Sequence, residues 1–313
     1  MLKIDHLCKK YGSFSALRDL SLDIPDGALH GFVGPNGAGK TTTMRILATL
    51  MKPTSGTAYV DGTDVVREGQ KARKLVGYMP DFFGVYDNLK CWEYLDFYAR
   101  CYRIGAEERK RMTRQLLELV QLQEKEDAYV EALSRGMKQR LCLARSLIHD
   151  PKLLILDEPA SGMDPRARAE MKGILRTLRE MGKTVLISSH ILPELAEMCD
   201  SLTILDHGQL VFSGSVEALS DRMNGNAPLN IRLAEGAGEE AVESAVRCLK
   251  ELPAVTEILQ EEPYMLRVRL EEGSSDSCQE VLRQLVIKGV PVCDFHRAPM
   301  NLEKVFMEVT QGA

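Results

Sequence analysis

The sequence predicts an α/β fold with a buried parallel sheet, followed by a smaller α+β domain. Short apolar runs alternate with helical patterns up to about residue 220, and those at 153–156 and 185–188 are almost continuously hydrophobic. Strands of this kind are buried on both faces, as in a parallel sheet covered by helices. The 313 residues also exceed the usual size of one hydrophobic core, so we expect a large and a small domain.

Six apolar segments of the larger domain are predicted strands: 29–34, 56–62, 75–80, 153–159, 184–190 and 202–208. Apolar residues at helical spacing predict helices at 40–51 and 165–180, the second with Asp164 as its N-cap. Residues 82–131 interrupt the alternation, and an apolar stripe beside charged residues predicts that they are mainly helical. We therefore expect a helical subdomain over about 82–150.

The sequence changes character near residue 220. Beyond it, strand-like segments at 229–234, 255–260, 264–270 and 290–296 alternate with predicted helices at 239–251, 276–288 and from Asn301 onwards. The order β-α-β-β-α-β in so short a segment is typical of a small split-βαβ sandwich. We therefore expect two domains, 1–219 and 220–313.

Composition and charge exclude several classes of protein. With 44% hydrophobic and 27% charged residues, the chain is typical of globular proteins and not of disordered ones. No apolar run approaches the roughly 18 to 20 residues that cross a bilayer, and the first residues are too charged for a signal peptide. Any membrane role is therefore expected to come through a partner chain.

The cysteines and the distribution of charge indicate the redox compartment and the kinds of partner to expect. The eight cysteines are scattered without a C-x-x-C pair, which favours reduced cytosolic thiols over a disulfide scaffold or a zinc site. Basic and acidic residues number 30 and 29 in 1–219, and 10 and 16 in 220–313. Because neither part has a basic excess, we expect no nucleic-acid partner.

A phosphate-binding motif follows the first buried strand. It consists of Gly34, Pro35, Asn36, Gly37, Ala38, Gly39, Lys40 and Thr41, which fit G-x-x-x-x-G-K-[ST] between a strand and a helix. Glycines let backbone N–H groups turn inward, and the helix N-terminus adds its positive end. Lys40 can reach the β- and γ-phosphates and the Thr41 hydroxyl can join a Mg²⁺ shell. The lysine and threonine at the right offset favour a nucleotide site over a simple glycine-rich turn.

Two acids emerge where the strand at 153–156 ends. Asp157 is suited to hold Mg²⁺, and Glu158 to polarise an attacking water. Alone, the two could equally be solvated acids at a strand end, but the motif at 34–41 favours the catalytic interpretation. His190 ends another buried strand, where a histidine can hold a γ-phosphate or orient the water, although a single histidine at a strand end is more often structural.

A second anion site is predicted at residues 133–140, which read Leu-Ser-Arg-Gly-Met-Lys-Gln-Arg. Ser134 is a strong N-cap, and Ser134 and Gly136 begin a helical run whose free N–H groups can receive a phosphate. This segment is similar to the LSGGQ signature of the ATP-binding subunits of ABC transporters, and the resemblance covers essentially all of 1–219. It implies a P-loop NTPase sheet core of the ABC ATPase type with a helical subdomain.

The resemblance also implies roles within one copy of the chain. Tyr11 would stack on adenine, and Gly34 to Thr42 would cradle the phosphates of ATP. Asp157 would be the metal partner and Glu158 the general base. His190 would be the switch histidine of the family.

Other implied roles reach a second copy. In the family, two ATP-binding domains face each other head to tail, and each ATP lies between one phosphate loop and the opposite signature helix. Ser134 and Gly136 would thus contact the γ-phosphate of the partner's ATP. Residues 161–164 resemble the D-loop, which touches the opposite site.

Three residues depart from the family pattern. Arg135 and Met137 replace the usual Gly and Gln of the signature, as in bacterial multidrug, antibiotic or lipid exporters. Asp81 stands where the Q-loop glutamine normally contacts Mg²⁺ and the membrane subunit. Asp81 could still lie near the metal, and slower hydrolysis or altered coupling is a hypothesis that comparing coupled ATPase rates with Asp81→Gln would test.

An aromatic cluster follows the Q-loop position. Residues 78–102 hold nine of the chain's 18 aromatic residues, more than one short helix can bury. Core packing explains part of this, but we expect Phe82 to Tyr86 to help form a groove for a short cytoplasmic helix of the membrane partner. The residues from Asn301 to Thr310 resemble the tail of an accessory domain common in export ATPases.

The sequence therefore predicts an ATPase subunit that uses ATP and Mg²⁺, forms a homodimer on binding ATP, and drives export through a separate transmembrane permease. It would lie at the cytoplasmic face of the membrane through that permease. One alternative is a soluble ABC-type ATPase acting on ribosomes or DNA, although such proteins tend to carry two cassettes or long coiled coils. Another is a regulator that binds ATP and barely hydrolyses it, against which Glu158 and His190 argue.

Overall fold

The structure, a computed structural model, describes residues 1–82, 84, 86, 88–219, 228–234, 236–271 and 275–297, with only the backbone at 275 and 276. The chain divides into two compact units, one over Met1–Val216 and one that begins at Glu217. Within the described ranges, no helix is both long and apolar enough to cross a membrane.

A mostly parallel sheet forms the centre of the first unit. Its strands are β3 (Leu29–Val33), β6 (Val76–Met79), β7 (Leu153–Asp157), β8 (Thr184–Ser189), β9 (Ser201–Asp206) and β10 (Gln209–Ser215). They lie in the order β10-β9-β3-β8-β7-β6, and only the β9–β10 pair is antiparallel. Every residue of β3, β7 and β8 is buried, and for β7 and β8 this confirms the prediction from their nearly continuous apolar runs.

A second, antiparallel sheet packs into the same hydrophobic core. Its strands are β1 (Leu2–Tyr11), β2 (Phe14–Ile24), β4 (Ser55–Val60) and β5 (Thr63–Asp64), in the order β2-β1-β4-β5. The strand expected at 56–62 belongs here, whereas β1 and β2 were not predicted. Register shifts between β1 and β2 interrupt their alternation, and this weakens the pattern that marks a half-buried strand.

The helices of the first unit are α1 (Lys40–Leu47), α2 (Gly69–Leu75), α3 (Cys91–Cys101), α4 (Ala106–Leu119), α5 (Arg135–Ser146), α6 (Pro165–Glu180) and α7 (Leu192–Met198). Helix α1 is shorter than the helix predicted at 40–51. Its C-cap is Ala48, and Thr49 has a φ of 60°, a left-handed conformation that ends the helix. At the start of α6, the Asp164 side chain accepts a hydrogen bond from the Ala167 N–H, as expected of an N-cap.

The stretch predicted to be mainly helical holds α3, α4 and two short 3₁₀ turns at Gln123–Lys125 and Val130–Ala132. The predicted apolar stripe consists of Met112, Leu116, Leu119 and Val120, of which Leu116 and Val120 are buried. The charged residues at 107–114 beside it are mostly exposed. The prediction of a helical segment inserted between strands of the α/β core is therefore confirmed.

Between residues 228 and 297, the described part of the second unit forms a four-stranded antiparallel sheet with two helices. Its elements are β11 (Leu229–Leu233), α8 (Gly238–Lys250), β12 (Val255–Glu262), β13 (Met265–Leu270), α9 (Ser275–Ile287) and β14 (Val292–Arg297). The strand order is β12-β13-β11-β14, and one apolar cluster joins the helices to the sheet through residues such as Ile231, Leu249 and Leu285. The predicted β-α-β-β-α-β order is confirmed, while the helix expected from Asn301 lies outside the described residues.

Candidate active site

The phosphate loop connects β3 to α1 and leaves no room for side chains at two glycines. A Cβ atom on Gly39 would lie 2.6 Å from Leu17 Cδ2 and 2.8 Å from the Ala16 carbonyl oxygen, and one on Gly34 would collide with the Leu205 carbonyl. Gly39 also has a φ of 105°, which favours glycine. Strand β2, which the sequence did not reveal, thus supplies the floor of this loop.

Lys40 lies folded into the loop that it follows. Its Nζ donates hydrogen bonds of 2.6 Å to the Gly34 carbonyl and 3.2 Å to the Pro35 carbonyl, and the residue is only 6% exposed. Burial lowers the pKa of Lys40, while the nearby carboxylates of Glu158 and Asp157 act in the opposite direction. The loop, its lysine and the two acids therefore form one electrostatic site.

Asp157 ends β7 beside Thr41 of α1. Its Oδ1 accepts hydrogen bonds from Thr41 Oγ1 at 3.3 Å and Ser188 Oγ at 2.7 Å. Its Oδ2 is buried and has no hydrogen-bond partner among the described residues. A free carboxylate oxygen beside a hydroxyl fits a hard cation such as Mg²⁺, which prefers oxygen ligands.

Glu158 and His190 form a pair at the ends of β7 and β8. His190 Nδ1 lies 3.0 Å from Glu158 Oε2, and the Glu158 N–H donates a 3.0 Å hydrogen bond to Ser188 Oγ. Burial raises the pKa of the Glu158 carboxyl, and the charge and hydrogen bond of His190 oppose this rise. The backbone of Glu158 has a φ of 52°, a sparsely populated conformation for a non-glycine residue. The arrangement can hold and activate a water as a general base.

Ser188 is a site residue that sequence reasoning missed. It is fully buried, and its hydroxyl bonds both to Asp157 and to the backbone of Glu158. The signal in the sequence was the pair of serines, Ser188 and Ser189, between the apolar residues 185–187 and His190.

The predicted signature segment begins α5. Ser134 is its N-cap and accepts a 3.3 Å hydrogen bond from the Met137 N–H, as predicted. Gly136 is buried, and Gln139 Nε2 donates a 3.1 Å hydrogen bond to the Ser161 carbonyl. Among the described residues, no hydrogen bond joins Ser134 or Gly136 to residues 34–42. Helix α5, which Ser134 and Gly136 begin, is thus linked through Gln139 to residue 161.

Tyr11 lies at the end of β1 and is 46% exposed. Its hydroxyl donates a 2.9 Å hydrogen bond to Met51 Sδ, and Lys9 Nζ lies 5.2 Å from the ring centroid. The ring is therefore held from its edge and covered in part by a cation, and its exposed area can still receive an aromatic base. Thr42 follows the loop on α1 and is half-buried.

Asp81 is exposed just beyond β6 and contributes to the electrostatic surroundings of Tyr78. Within the described ranges, no hydrogen bond or ion pair connects Asp81 to Thr41 or Asp157. No group of three or more His, Cys, Asp or Glu residues there is arranged to hold a metal ion. The structure thus brings Thr41 and Asp157 together and shows no hydrogen bond or ion pair from Asp81 to either of them among the described residues.

Comparisons with known proteins find relatives that are named as ATP-binding proteins, in agreement with the phosphate loop of this site. Residues 17–161 match a protein-family model described as ABC transporter. The chain is 34% identical to Nod factor export ATP-binding protein I of Burkholderia orbicola, over 96% of this chain and 94% of that protein. It is 30% identical to linearmycin resistance ATP-binding protein LnrL of Bacillus subtilis, over 99% of this chain and 98% of that one.

A solved structure resembles a large part of the chain. It is a dimeric ATP-binding cassette in a post-hydrolysis state with bound ADP and phosphate, with 26% sequence identity and a TM-score of 0.63. The similarity covers 69% of this chain and 99% of that cassette.

Proposed function

The chain belongs to the ABC transporter family as an ATP-binding subunit, and from that premise we propose that it powers export by a separate membrane-spanning permease. It is an ATPase of the P-loop type. Relatives are named for Nod factor export and for linearmycin and daunorubicin resistance, and this supports an outward direction of transport. None of these names supports the alternative of a soluble ATPase acting on ribosomes or DNA.

The observation that carries the hydrolytic part of the proposal is the contact between Glu158 and His190 beside the phosphate loop. In this scheme the ionised Glu158 takes a proton from the attacking water as the bond from water oxygen to the γ-phosphorus forms. The bond from the γ-phosphorus to the bridging oxygen breaks, and ADP leaves with that oxygen. A carboxylate with a raised pKa is the stronger base, and burial supplies that rise. His190 Nδ1, 3.0 Å away, orients the carboxylate.

Lys40 and the loop amides hold the triphosphate in this scheme. The lysine must exchange its hydrogen bonds to the Gly34 and Pro35 carbonyls for phosphate oxygens, which are stronger acceptors because they are charged. Its burial increases the strength of that attraction, since little water screens it. The ring of Tyr11 stacks on the adenine.

Mg²⁺ is the metal that this donor set suits. Asp157, whose Oδ2 has no hydrogen-bond partner among the described residues, and the Thr41 hydroxyl would hold it. When bound, Mg²⁺ neutralises charge on the phosphate oxygens. Asp81 is proposed only as a group near this metal, because no contact of the described residues links it to Thr41 or Asp157.

Dimerisation is proposed to complete the site. A helix N-terminus with an N-cap serine is a ready anion site, and Ser134 and Gly136 provide one at the start of α5. A homodimer places the α5 helix of one copy at the ATP of the other, so that binding ATP closes the pair and hydrolysis releases it.

The aromatic surface after β6 is proposed as the contact with the permease. Phe82 is 90% exposed and Tyr86 52% exposed, and the Tyr86 ring packs edge-to-face on Phe97 at 5.4 Å between centroids. Large exposed aromatic rings are typical of protein interfaces. Phe83, also predicted to line the groove, lies outside the described residues. Docking here would keep the subunit at the cytoplasmic face of the membrane.

The substitution Glu158→Gln tests the function. We expect ATP turnover to fall by about 10²- to 10⁴-fold, because the amide cannot accept the proton. ATP affinity should be retained, and an ATP-bound dimer should accumulate, visible by analytical ultracentrifugation. Glu180→Gln, an exposed glutamate at the end of α6, is the matched control and should hydrolyse ATP normally. Full turnover by Glu158→Gln would contradict the assignment.

A further inference from the structure

Arg135 carries its positive charge at the N-terminus of α5, which is the positive end of the helix dipole. It is the first residue of α5, directly after the N-cap Ser134, and the first turn contains no acidic residue. Cations at a helix N-terminus are unfavourable because they face the positive end of the helix dipole. Arg135 is exposed, and its side chain makes no hydrogen bond or ion pair with any residue that the structure describes. An anion at this position would remove the repulsion and pair with the guanidinium.

The guanidinium is held in place by a glycine. A Cβ atom on Gly162 would lie 2.6 Å from the central guanidinium carbon of Arg135 and 2.6 Å from one of its nitrogens, so only glycine leaves room for this contact. Gly162 also has a φ of 67°, which favours glycine. The hydrogen bond from Gln139 to the Ser161 carbonyl fixes the same loop to α5. Arg135 is therefore positioned before any ligand arrives, and this lowers the entropic cost of a contact.

We propose that Arg135 contacts the γ-phosphate of the ATP held by the second copy of the chain. The inference rests on the head-to-tail dimer of the proposed function, in which Ser134 and residues 161–164 face that ATP. A planar guanidinium matches two phosphate oxygens at once, a geometry that the neutral Met137 nearby cannot provide. The contact adds attraction only across the dimer, so it strengthens ATP-dependent association without changing how one copy binds ATP.

The test compares dimer formation in a background without turnover. Full-length Glu158→Gln protein is combined with Arg135→Met, Arg135→Lys or Gly162→Ala, and the dimer dissociation constant with ATP is measured by sedimentation at about 150 mM salt. Arg135→Met should weaken the dimer by about tenfold to a hundredfold, as expected for a lost charged hydrogen bond. Arg135→Lys should recover part of the affinity, and Gly162→Ala should resemble Arg135→Met. Arg176→Met, at an exposed position on α6, should match the parent.

Monomer binding and folding complete the experiment. Affinity for a fluorescent ATP analogue, measured at protein concentrations too low for dimers, should be equal in all variants. Circular dichroism should show every variant folded at the assay temperature, although Gly162→Ala should melt somewhat lower because its positive φ disfavours alanine. Equal dimer affinities of Arg135→Met and the parent would overturn the inference while leaving the proposed function intact. Failure of the Glu158→Gln parent itself to dimerise with ATP would overturn the proposed function, and the inference with it.

Discussion

Ser188 Oγ donates a 2.7 Å hydrogen bond to Asp157 Oδ1, across the neighbouring strands β8 and β7. The same oxygen accepts a 3.0 Å hydrogen bond from the N–H of Glu158. One buried hydroxyl therefore fixes both the proposed metal ligand and the backbone of the proposed base. The positions of the two acids depend on a residue that takes no part in the chemistry.

Replacing Ser188 with Ala should lower the ATPase rate without removing any reacting group. Asp157 Oδ1 would retain only the longer hydrogen bond from Thr41, and the Glu158 N–H would lose its partner. We expect kcat to fall by about tenfold to a hundredfold, as for other residues that orient a metal ligand. The free energy of unfolding should fall by about 1 to 3 kcal/mol, because buried polar groups lose a partner.

Ser146→Ala is the matched control, measured by steady-state ATPase assays and urea unfolding. Ser146 is also buried and donates a 2.7 Å hydrogen bond, to the Leu143 carbonyl. It should therefore lose stability to a similar degree and keep its ATPase rate. Equal rate losses in the two variants would show that Ser188 acts through stability alone.

The sequence was most informative where a function depends on neighbours along the chain. The phosphate loop, the acids after β7 and the N-caps Ser134 and Asp164 all act within a few residues, so that spacing and residue type suffice to predict them. The buried strands were visible for the same reason, since a run of apolar residues is a local property.

The remaining features of the site depend on long-range packing. The contact of Gly39 with β2, the bond from Ser188 to Asp157 and the guanidinium of Arg135 on Gly162 each join residues far apart in the sequence. Irregular register hid β1 and β2, because their bulges interrupt the alternating pattern. Such contacts follow from strand order and register, which a single sequence does not specify.

The pH dependence of hydrolysis should report the pair of Glu158 and His190. Burial raises the pKa of Glu158, and the charge and hydrogen bond of His190 lower it. Removing the imidazole with His190→Gln should therefore raise this pKa further. Because the ionised carboxylate is the active form, the acid limb of the kcat/KM profile should move to higher pH. An acid limb at the same pH in His190→Gln and in the parent would contradict the pairing. His296→Gln, in the second unit, is the control and should leave the profile unchanged.

A charge on the exposed aromatic surface should block assembly with the permease. Phe82→Glu places a carboxylate where a ring that is 90% exposed would be buried by a partner. We expect at least about tenfold weaker association, measured by co-purification from membranes that contain both subunits. ATP binding by the separate subunit should be unchanged. Leu259→Glu, at an apolar residue of the second unit that is 49% exposed, is the control. Undiminished assembly and transport would refute the docking site.

His30 should make the first unit less stable in acid. Its ring, on β3, faces the neighbouring strand β9, where Nδ1 is 2.7 Å from Ser201 Oγ and Nε2 is 2.8 Å from Thr203 Oγ1. Burial lowers the pKa of His30 from 6.5 to about 4. Between these values the unfolded chain binds a proton that the folded protein does not, so stability is complete above pH 6.5 and falls as the pH drops towards 4. The loss is about 1.4 kcal/mol for each unit between the two pKa values.

The substitution His30→Gln tests this. An amide can replace the hydrogen bonds without titrating, so the stability of the variant should depend less on pH between 7 and 4. Urea unfolding followed through Trp92, the chain's one tryptophan, reports the first unit directly. The variant should be less stable than the parent at pH 7, where the native hydrogen bonds are optimal, and approach it at pH 4.5. Parallel losses of stability in both proteins across this range would show that His30 does not control the acid response.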